Sequence, residues 1–553
     1  MAFPAVIVGP LLRLGLLALL LNPMTALPAA HVSPAPLDVK VGSVADSSGQ
    51  PTTKKLLLVD GKPFAPVGVT YHFTYHRDSW DDDLQAMHDM GLNSVRIDFS
   101  WRDIEPILPG HYRFGVLDEF LDRASQHGLY VVPVFSHTTR DFNTPLWFWP
   151  DYDSWSSVDQ NGQRPLDDLP SISYPEYRRR LSSYMAATVQ HIKQHPAVLA
   201  YQLLNEPRYD LKRLSDYNPY TVATFRVWLR EQYSTIDQLN DAWGTGYKSF
   251  EEAQPTRVAD NDPPKDGPLL KQWSDWRQFS YDNLADFIGE LARTVKSADP
   301  GHPVIVAEMA WWWWGEQPYS GVSPLHIYKD ADIVGYDLYP DSIEDASYFL
   351  LTSDMLSRYW QKPVWVMEMN SKDGDPTGEE TQKFVSSAMD GGATGVFYFE
   401  WQDDWRDGGN YGVLDSRGRR RTQYGALTSA VRWLRQKEES LVMAPTPKPD
   451  VYLVWPSGEV GQVTGAESPA WDIYATARRI VEGGLRIGLV AEELMHAVDP
   501  SKLLTLRDGR LENGKAPTPG PIPQPRTRSL PSPPGTAASP AKPWRGADGA
   551  GSG

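Results

Sequence analysis

The sequence predicts an α/β protein built on a closed (β/α)8 barrel. Eight short, continuously apolar runs are separated by longer segments whose apolar residues recur at helical spacing. Such runs are typical of parallel strands covered on both faces. An open doubly wound sheet would usually carry a glycine-rich phosphate loop after its first strand, and the sequence has none there. Eight alternations therefore favour the barrel. We predict its strands at residues 66–72, 94–100, 130–136, 199–207, 303–309, 332–340, 363–370 and 395–401.

The helical segments between the runs carry their own start and stop signals. In "SWDDDLQAMHDMG", Ser79 is a candidate N-cap, three aspartates occupy the first turn and Gly91 follows the last turn. Acidic side chains in the first turn complement the helix dipole. This pattern predicts a helix that begins just after Ser79 and ends at Gly91.

The chain divides into five segments. Residues 1–30 combine an arginine, an apolar run and small residues, which is typical of a secretory signal peptide; a misplaced start codon or a short membrane anchor is the alternative. Residues 31–53 are a Pro/Ser/Thr/Gly-rich linker, and 54–443 form the catalytic barrel. Residues 444–512 contain one β-α-β unit, which cannot bury a sheet alone and is either a docked appendage or part of an interrupted domain. Residues 513–553 have the composition of a disordered tail.

Composition limits the partners. There are 53 Lys and Arg against 70 Asp and Glu, giving a net charge of −17. Nucleic-acid binding demands a basic surface, so we expect no nucleic-acid partner and favour a neutral or weakly charged substrate. The absence of cysteine excludes disulfides, a thiol nucleophile and a cysteine-ligated zinc site. We expect a secreted or periplasmic protein with no membrane span in the mature chain, no cofactor and no metal.

Two glutamates at strand ends are the candidate catalytic residues. Active sites of such barrels lie at the carboxyl ends of the strands, where Glu206 ends the fourth predicted strand and Glu368 the seventh. A carboxyl pair about 5–5.5 Å apart cleaves a glycosidic bond with retention, one group protonating the leaving oxygen while the other attacks the anomeric carbon. Burial should raise the pKa of the acid. The alternative is a structural ion pair with Arg96.

Further strand-end side chains are candidates for substrate contacts. Arg96 could orient the nucleophile and keep it ionised, Tyr339 could donate a hydrogen bond to it, and Asn205 could hold a sugar 2-hydroxyl. For His72, a hydroxyl contact and plain packing both stay open, and a metal site with His76 lacks a third ligand nearby. The same reasoning adds two more candidates, Trp401 and His137.

Four consecutive tryptophans, Trp311 to Trp314, follow the fifth strand. In an extended segment Trp311 and Trp313 would point to one side and Trp312 and Trp314 to the other. We predict that one pair stacks on sugar rings and name Trp311 and Trp313 as candidates, although which pair faces the sugar stays open. The alternative is that all four pack under loops or against a second subunit.

With these residues in place, the chain resembles clan A glycoside hydrolases and, within that clan, glycoside hydrolase family 42, the β-galactosidase family. The resemblance runs from about Pro66 to Leu427. It is carried by "GVTYHFTYHRDSWDDDLQAMHDMGLNSVRI", "HPAVLAYQLLNEP", "FRVWLREQYSTIDQLNDAWGTGY", "DIVGYDLYPD" and "GVFYFEWQDDW". It implies a retaining β-glycosidase that needs no cofactor and acts on an oligosaccharide, a polysaccharide or a simple β-glycoside. It also implies that Glu206 is the acid/base and Glu368 the nucleophile.

The chain also departs from the family pattern. It has "NEP" where the family typically has "NEY", and the family's galactose-holding Glu and His after strand eight have no clear match. A β-mannosidase or a β-glucan-cleaving enzyme is therefore the alternative to a β-galactosidase, and a carbohydrate-binding pseudoenzyme is a third reading. Residues 450–506 are similar to the start of the family's flavodoxin-like trimerisation domain but stop after one β-α-β unit. Assembly into a homo-oligomer stays open.

Overall fold

A computed structural model gives the fold. It describes residues 36–43, 54–135, 143–150, 152–164, 169–209, 216–257, 264, 266–314, 317–371, 374, 376–403, 410–443, 445–460, 468–507 and 510–513. The predicted signal peptide, most of the predicted linker, His137 and the predicted tail beyond Asn513 lie outside the described residues.

Eight parallel strands close into a barrel in which sequence neighbours are also neighbours in space. Seven predicted runs contain one of these strands and the eighth, 395–401, overlaps its strand, so the predicted (β/α)8 barrel is confirmed. The strands are β4 (Val67–Tyr71), β5 (Ser94–Phe99), β6 (Tyr130–Phe135), β7 (Tyr201–Asn205), β8 (Val304–Met309), β9 (Ile333–Leu338), β10 (Val364–Met369) and β11 (Ala393–Tyr398).

Helices surround the barrel, and the first confirms the expected bounds. Ser79 precedes it at the N-cap position, although its hydroxyl donates to Asp83 rather than capping the backbone. Gly91 ends it in the left-handed conformation, with φ 102°, which glycine adopts without steric cost. In chain order the α-helices are α1 (Trp80–Met90), α2 (Trp101–Ile104), α3 (Gly115–Gln126), α4 (Tyr152–Trp155), α5 (Pro175–Ile192), α6 (Pro219–Tyr233), α7 (Ile236–Trp243), α8 (Gly267–Ala298), α9 (Gln317–Ser320), α10 (Ser347–Trp360), α11 (Gly378–Asp390), α12 (Thr422–Met443), α13 (Ser457–Val460) and α14 (Pro469–Glu482).

A small antiparallel sheet packs against the barrel interior. It consists of β1 (Val39–Gly42), β2 (Leu56–Val59) and β3 (Lys62–Phe64). Its inward side chains, such as Leu57, join a cluster with Val132, Ile305 and Trp365, which lie near the starts of their strands. The sheet therefore covers the end of the barrel opposite the strand carboxyl ends. The prediction of a linker is wrong for Val39–Gly42, because the short alternating segment pairs with β2 and buries Val39.

The C-terminal segment forms a four-stranded sheet in the order β13-β12-β14-β15. Its strands are β12 (Val451–Trp455), β13 (Ile487–Ala491), β14 (Leu503–Arg507) and β15 (Arg510–Asn513). The predicted β-α-β unit corresponds to β12, α14 and β13, and the prediction that the sheet stops there is wrong. An antiparallel hairpin, β14 and β15, extends it.

This sheet docks on the side of the barrel, in agreement with the first of the two predicted alternatives, a docked appendage. The ring of Tyr474 on α14 stacks on Tyr348 of α10, with centroids 3.5 Å apart. The backbone N–H of Leu489 donates to the buried Asp354, at 2.9 Å. Among the described helices, none is long and apolar enough to cross a membrane.

Candidate active site

Three carboxyl groups meet at the carboxyl end of the barrel. Glu206 follows β7, Asp337 lies in β9 and Glu368 lies in β10, and one oxygen of each lies within 4.8 Å of an oxygen of each other. The structure thus brings the two predicted glutamates together, at a spacing that suits the short separation of a retaining pair. Glu206 adopts φ +42°, a left-handed conformation uncommon outside glycine and often found at active sites.

Arg96 contacts the predicted nucleophile, Glu368. Its Nη1 lies 2.8 Å from Oε1 of Glu368, and both side chains are buried. Its Nε donates to Gln202 at 2.8 Å, and Nη2 donates to Oδ1 of Asn205. The planar guanidinium thereby fixes Glu368 and the amide of Asn205 in one geometry. The contact with Glu368 is the one predicted for Arg96, and the contact with Asn205 is not.

Tyr339 donates from its hydroxyl to Oε2 of Glu368, at 2.5 Å. Both oxygens of Glu368 therefore accept a hydrogen bond, which fixes the orientation of the carboxylate. Burial raises the pKa of Glu368, and Arg96 and Tyr339 oppose that shift by favouring the ionised form. This is the environment that an oriented carboxylate nucleophile needs.

The partly exposed Glu206 has the complementary environment. Burial, followed by the charge of Glu368, raises the pKa of Glu206 to about 7, while Arg208 and Arg96 oppose the shift. A carboxyl group with that pKa can be protonated near neutral pH and can also work as a base. The two glutamates are thus pushed towards different roles by their surroundings.

His72 lies at the same mouth, between the acidic side chains of Glu400 and Asp98, which are not among the residues predicted from the sequence. Its Nε2 lies 2.9 Å from the buried Glu400, and its Nδ1 lies 3.8 Å from Asp98. No described donor reaches the buried Oδ1 of Asp98. Glu400 and Asp98 could have been noticed as acidic residues at the ends of apolar strands. This arrangement offers acceptors to hydroxyl groups, which suits a sugar better than an anion.

Trp401, predicted to contact substrate, does not reach the mouth, and that prediction is wrong. Its side chain is fully buried, and its indole N–H donates to Asp83 of α1 at 2.9 Å. β11 ends at Tyr398, so strand alternation no longer governs Trp401. Phe399 lies beside the site instead, with its ring centroid 6.0 Å from that of Tyr339 and 6.0 Å from that of His72.

The tryptophan run forms a 3-10 turn rather than an extended segment, so its side chains do not alternate. Trp313 is fully buried, and its indole N–H donates to Thr352 at 2.8 Å. Its predicted role as a sugar platform is wrong. The alternative, loop packing, holds for Trp313 and for Trp312, which is equally buried. The side chain of Trp311 lies outside the described residues.

Glu206, Asp337 and Glu368 also form the one described group of acidic side chains close enough to share a metal ion. Two observations favour a catalytic arrangement over a metal site: Arg96 and Tyr339 already occupy both oxygens of Glu368. A guanidinium at a carboxylate competes directly with a cation. The expected absence of a metal stays a prediction.

Comparisons with known proteins agree with this architecture. The model of glycoside hydrolase family 42, described as beta-galactosidase, matches residues 70–434. The beta-galactosidase LacZ of Heyndrickxia coagulans is 26% identical over 337 residues, covering 58% of this chain and 48% of that protein. The beta-galactosidase BbgII of Bifidobacterium bifidum is 28% identical over 357 residues, covering 58% and 47%. The chain thus spans about half the length of these curated relatives.

Solved structures share the fold. The beta-galactosidase from Bacillus circulans sp. alkalophilus superposes with a TM-score of 0.67 at 18% identity, covering 78% of this chain and 65% of that one. The beta-galactosidase from the psychrophilic Marinomonas ef1 gives a TM-score of 0.65 at 20% identity, covering 80% and 72%.

Proposed function

Because the chain belongs to glycoside hydrolase family 42, we propose that it is a retaining β-glycosidase that acts on β-galactosides. One observation carries the proposal. Two carboxyl groups with oxygens within 4.8 Å of each other face one mouth, and only Glu368 is held by Arg96 and Tyr339. The different surroundings of the two groups support different roles in one reaction.

The proposed reaction is a double displacement. Glu368 attacks the anomeric carbon while Glu206 gives its proton to the departing glycosidic oxygen, so a glycosyl ester forms and the aglycone leaves. Glu206, now ionised, removes a proton from water, which attacks the same carbon and releases Glu368. The sugar leaves with its original anomeric configuration, and no cofactor takes part.

The hydroxyl groups of the sugar are proposed to meet side chains around this pair. Arg96 fixes the amide of Asn205 beside the acid/base, so Asn205 is suited to the 2-hydroxyl. His72 follows β4, Asp98 lies in β5 and Glu400 follows β11. In the barrel order β11 lies opposite β7, the strand that precedes Glu206. Hydroxyls remote from the anomeric carbon would extend towards that side. The acidic character of the mouth supports a neutral glycoside as substrate.

A β-mannoside or β-glucan is the second candidate substrate. It is favoured by one feature, the lack of a clear match for the family's galactose-holding Glu and His after strand eight. We extend the proposal to export from the cytoplasm, on the leader-like composition of residues 1–30. Assembly into a homo-oligomer rests on the resemblance alone, and analytical ultracentrifugation of the purified chain tests it.

The activity is tested with aryl β-galactoside, β-glucoside, β-mannoside, β-xyloside and α-arabinoside. The wild type should hydrolyse one of them best, and Glu368→Ala should lower kcat by about 10⁴-fold or more, because the nucleophile is gone. Added azide should restore turnover and give a glycosyl azide of inverted configuration. The matched control is Glu379→Ala, an exposed glutamate on α11, which should leave kcat unchanged.

Two results would contradict the proposal. Unimpaired turnover by Glu368→Ala would refute the nucleophile. Binding of oligosaccharides by a wild type that hydrolyses none of the five glycosides would indicate the pseudoenzyme instead.

A further inference from the structure

Asp337 is the third carboxyl group of the site, and the double displacement leaves it without a role. Its side chain is fully buried in β9, beneath the two glutamates. No N–H or O–H group of the described residues donates to either of its oxygens. Buried carboxylates in folded proteins are almost always paired or hydrogen-bonded, so an ionised Asp337 would be strongly disfavoured here.

The donors around Asp337 are engaged elsewhere. Arg96 directs its N–H groups to Glu368, Gln202, Thr70 and Asn205. The hydroxyl of Tyr339 points to Glu368. On β8, the neighbouring Glu308 takes the hydroxyl of Tyr328 at 2.9 Å and the indole N–H of Trp312 at 3.1 Å.

Most of the charged groups that face Asp337 raise its pKa. Glu368 on β10, Glu206 after β7 and Glu308 on β8 disfavour a negative charge on it, and Arg96 on β5 is the opposing cation. Burial is the largest influence and also raises the pKa of Asp337 well above its ordinary range. Arg96 is the only cation among these groups, and it is already in contact with Glu368.

We propose that Asp337 stays protonated through the reaction and donates its hydroxyl hydrogen to Glu206, as a positioning residue for the acid/base. The inference rests on the proposed function, because it assigns a role relative to that reaction. One oxygen of Asp337 lies within 4.8 Å of one oxygen of Glu206, and a hydrogen bond between the two groups lowers the pKa of Glu206.

The consequence is chemical. When Glu206 gives its proton to the glycosidic oxygen, it becomes a carboxylate in a buried mouth beside the ester of Glu368. The O–H of Asp337 then donates to that carboxylate and stabilises it until Glu206 takes a proton from water. The proton of Asp337 stays on Asp337, and no bond to it forms or breaks.

The pH dependence of kcat/KM for the preferred aryl glycoside tests this. Asp337→Asn keeps a neutral donor, so its basic limb should stay within about half a pH unit of wild type. Asp337→Leu removes the donor, so the basic limb should move to higher pH and kcat should fall by roughly tenfold to a hundredfold.

An ionised Asp337 gives the opposite result for Asp337→Asn: removing a neighbouring negative charge lowers the pKa of Glu206, and the basic limb moves down by about one unit or more. That outcome overturns the proposal.

The control is Asp216→Asn, another fully buried aspartate, which accepts hydrogen bonds from Ser171 and Thr221 away from the three-carboxyl group. Its pH profile should match wild type if loss of a buried carboxyl group alone has no effect.

A second measurement needs no activity. In infrared spectra of wild-type protein with carboxyl-labelled aspartate at neutral pH, the C=O stretch of a protonated aspartate should shift with the label, and Asp337→Asn should lack that band. Absence of any such band in the wild type overturns the inference even if hydrolysis is found. Presence of the band in a protein that hydrolyses no glycoside would refute the proposed function and leave the protonation of Asp337 established.

Discussion

Arg96 is the residue on which the geometry of the mouth depends most. It is fully buried and contacts Glu368 together with three neutral side chains from two other strands, β4 and β7. A lysine could supply the charge but not the planar set of donors that reaches all four. The cation therefore fixes the relative positions of β4, β5, β7 and β10 at the point where the chemistry takes place.

Glu308 should make the stability of the protein depend on pH. Burial raises its pKa from 4.5 to about 8, so between these values the native state holds a proton that the unfolded chain releases. The contribution of Glu308 is therefore complete below about pH 4.5 and is lost as the pH rises towards 8. Glu308→Gln stays neutral at every pH and can still accept from Trp312.

Urea unfolding at pH 5 and pH 8 measures this difference. Between these pH values the wild type should lose roughly 2–4 kcal/mol of unfolding free energy relative to Glu308→Gln, since one pKa unit corresponds to about 1.4 kcal/mol. Parallel pH dependence in the two proteins would show that Glu308 is ionised in the native state.

At the same scale, the sequence predicts that Glu206, Glu368, Arg96 and Tyr339 lie together at the mouth, because a barrel strand brings its last residues to a known end. It does not predict Asp337 or Asp98, although each stands out as an acid within an apolar strand. Their roles depend on which donors reach them, and those donors come from other strands. The prediction that Trp401 contacts substrate is wrong for a related reason, because the strand ends before the chain reaches Trp401.

Among the elements, the turn after β8 connects the active-site strand to the C-terminal sheet. Trp312 and Trp313 pack edge-to-face against Trp455 of β12, with ring centroids 5.0 and 5.2 Å away. The indole N–H of Trp312 at the same time donates to Glu308. Trp312 and Trp313 therefore form an aromatic seat, the surface on which the C-terminal sheet packs.

The barrel strands are predictable because burial on both faces makes each a continuous apolar run. The hairpin of β14 and β15 and the short β1 carry only a few apolar residues each, so their pairing depends on partners distant in sequence. The 3-10 turn at Trp311–Trp314 packs through Trp312 and Trp313 against the docked sheet, a partner that the local sequence does not reveal.

Trp455→Ala tests this seat. Removing a fully buried indole should cost about 3–5 kcal/mol of unfolding free energy through the cavity it leaves. The KM for the aryl glycoside should stay unchanged, because the ring faces Trp312 and Trp313 rather than the mouth. Denaturant unfolding and steady-state kinetics measure the two effects.

Trp471→Ala on α14, where the side chain is 37% exposed, is the matched control and should change stability by about 0.5 kcal/mol or less. A raised KM with unchanged stability would instead make the aromatic seat part of the substrate site.

For the whole molecule, the barrel and the C-terminal sheet form one packed body in the described part of the chain. The sheet covers Trp312, Trp313 and Tyr348, and the backbone of β13 satisfies the buried Asp354. A barrel without the sheet would expose three large aromatic side chains together and leave Asp354 with fewer donors. Exposed patches of that kind promote association and loss of stability.

Two truncations separate the contribution of the sheet from that of the segment after it. A chain ending at residue 444 should melt roughly 10 °C or more below the full chain, or aggregate, because the aromatic seat is uncovered. A chain ending at Asn513 keeps all four strands, and its melting temperature and kcat should equal those of the full chain, since the Pro/Gly/Ser/Ala-rich composition of residues 514–553 predicts no packed core. Differential scanning calorimetry measures the melting temperatures, and the aryl glycoside assay measures kcat.

If the chain ending at residue 444 kept the melting temperature of the full chain, the barrel would be stable without the sheet, and the run of tryptophans would need another partner.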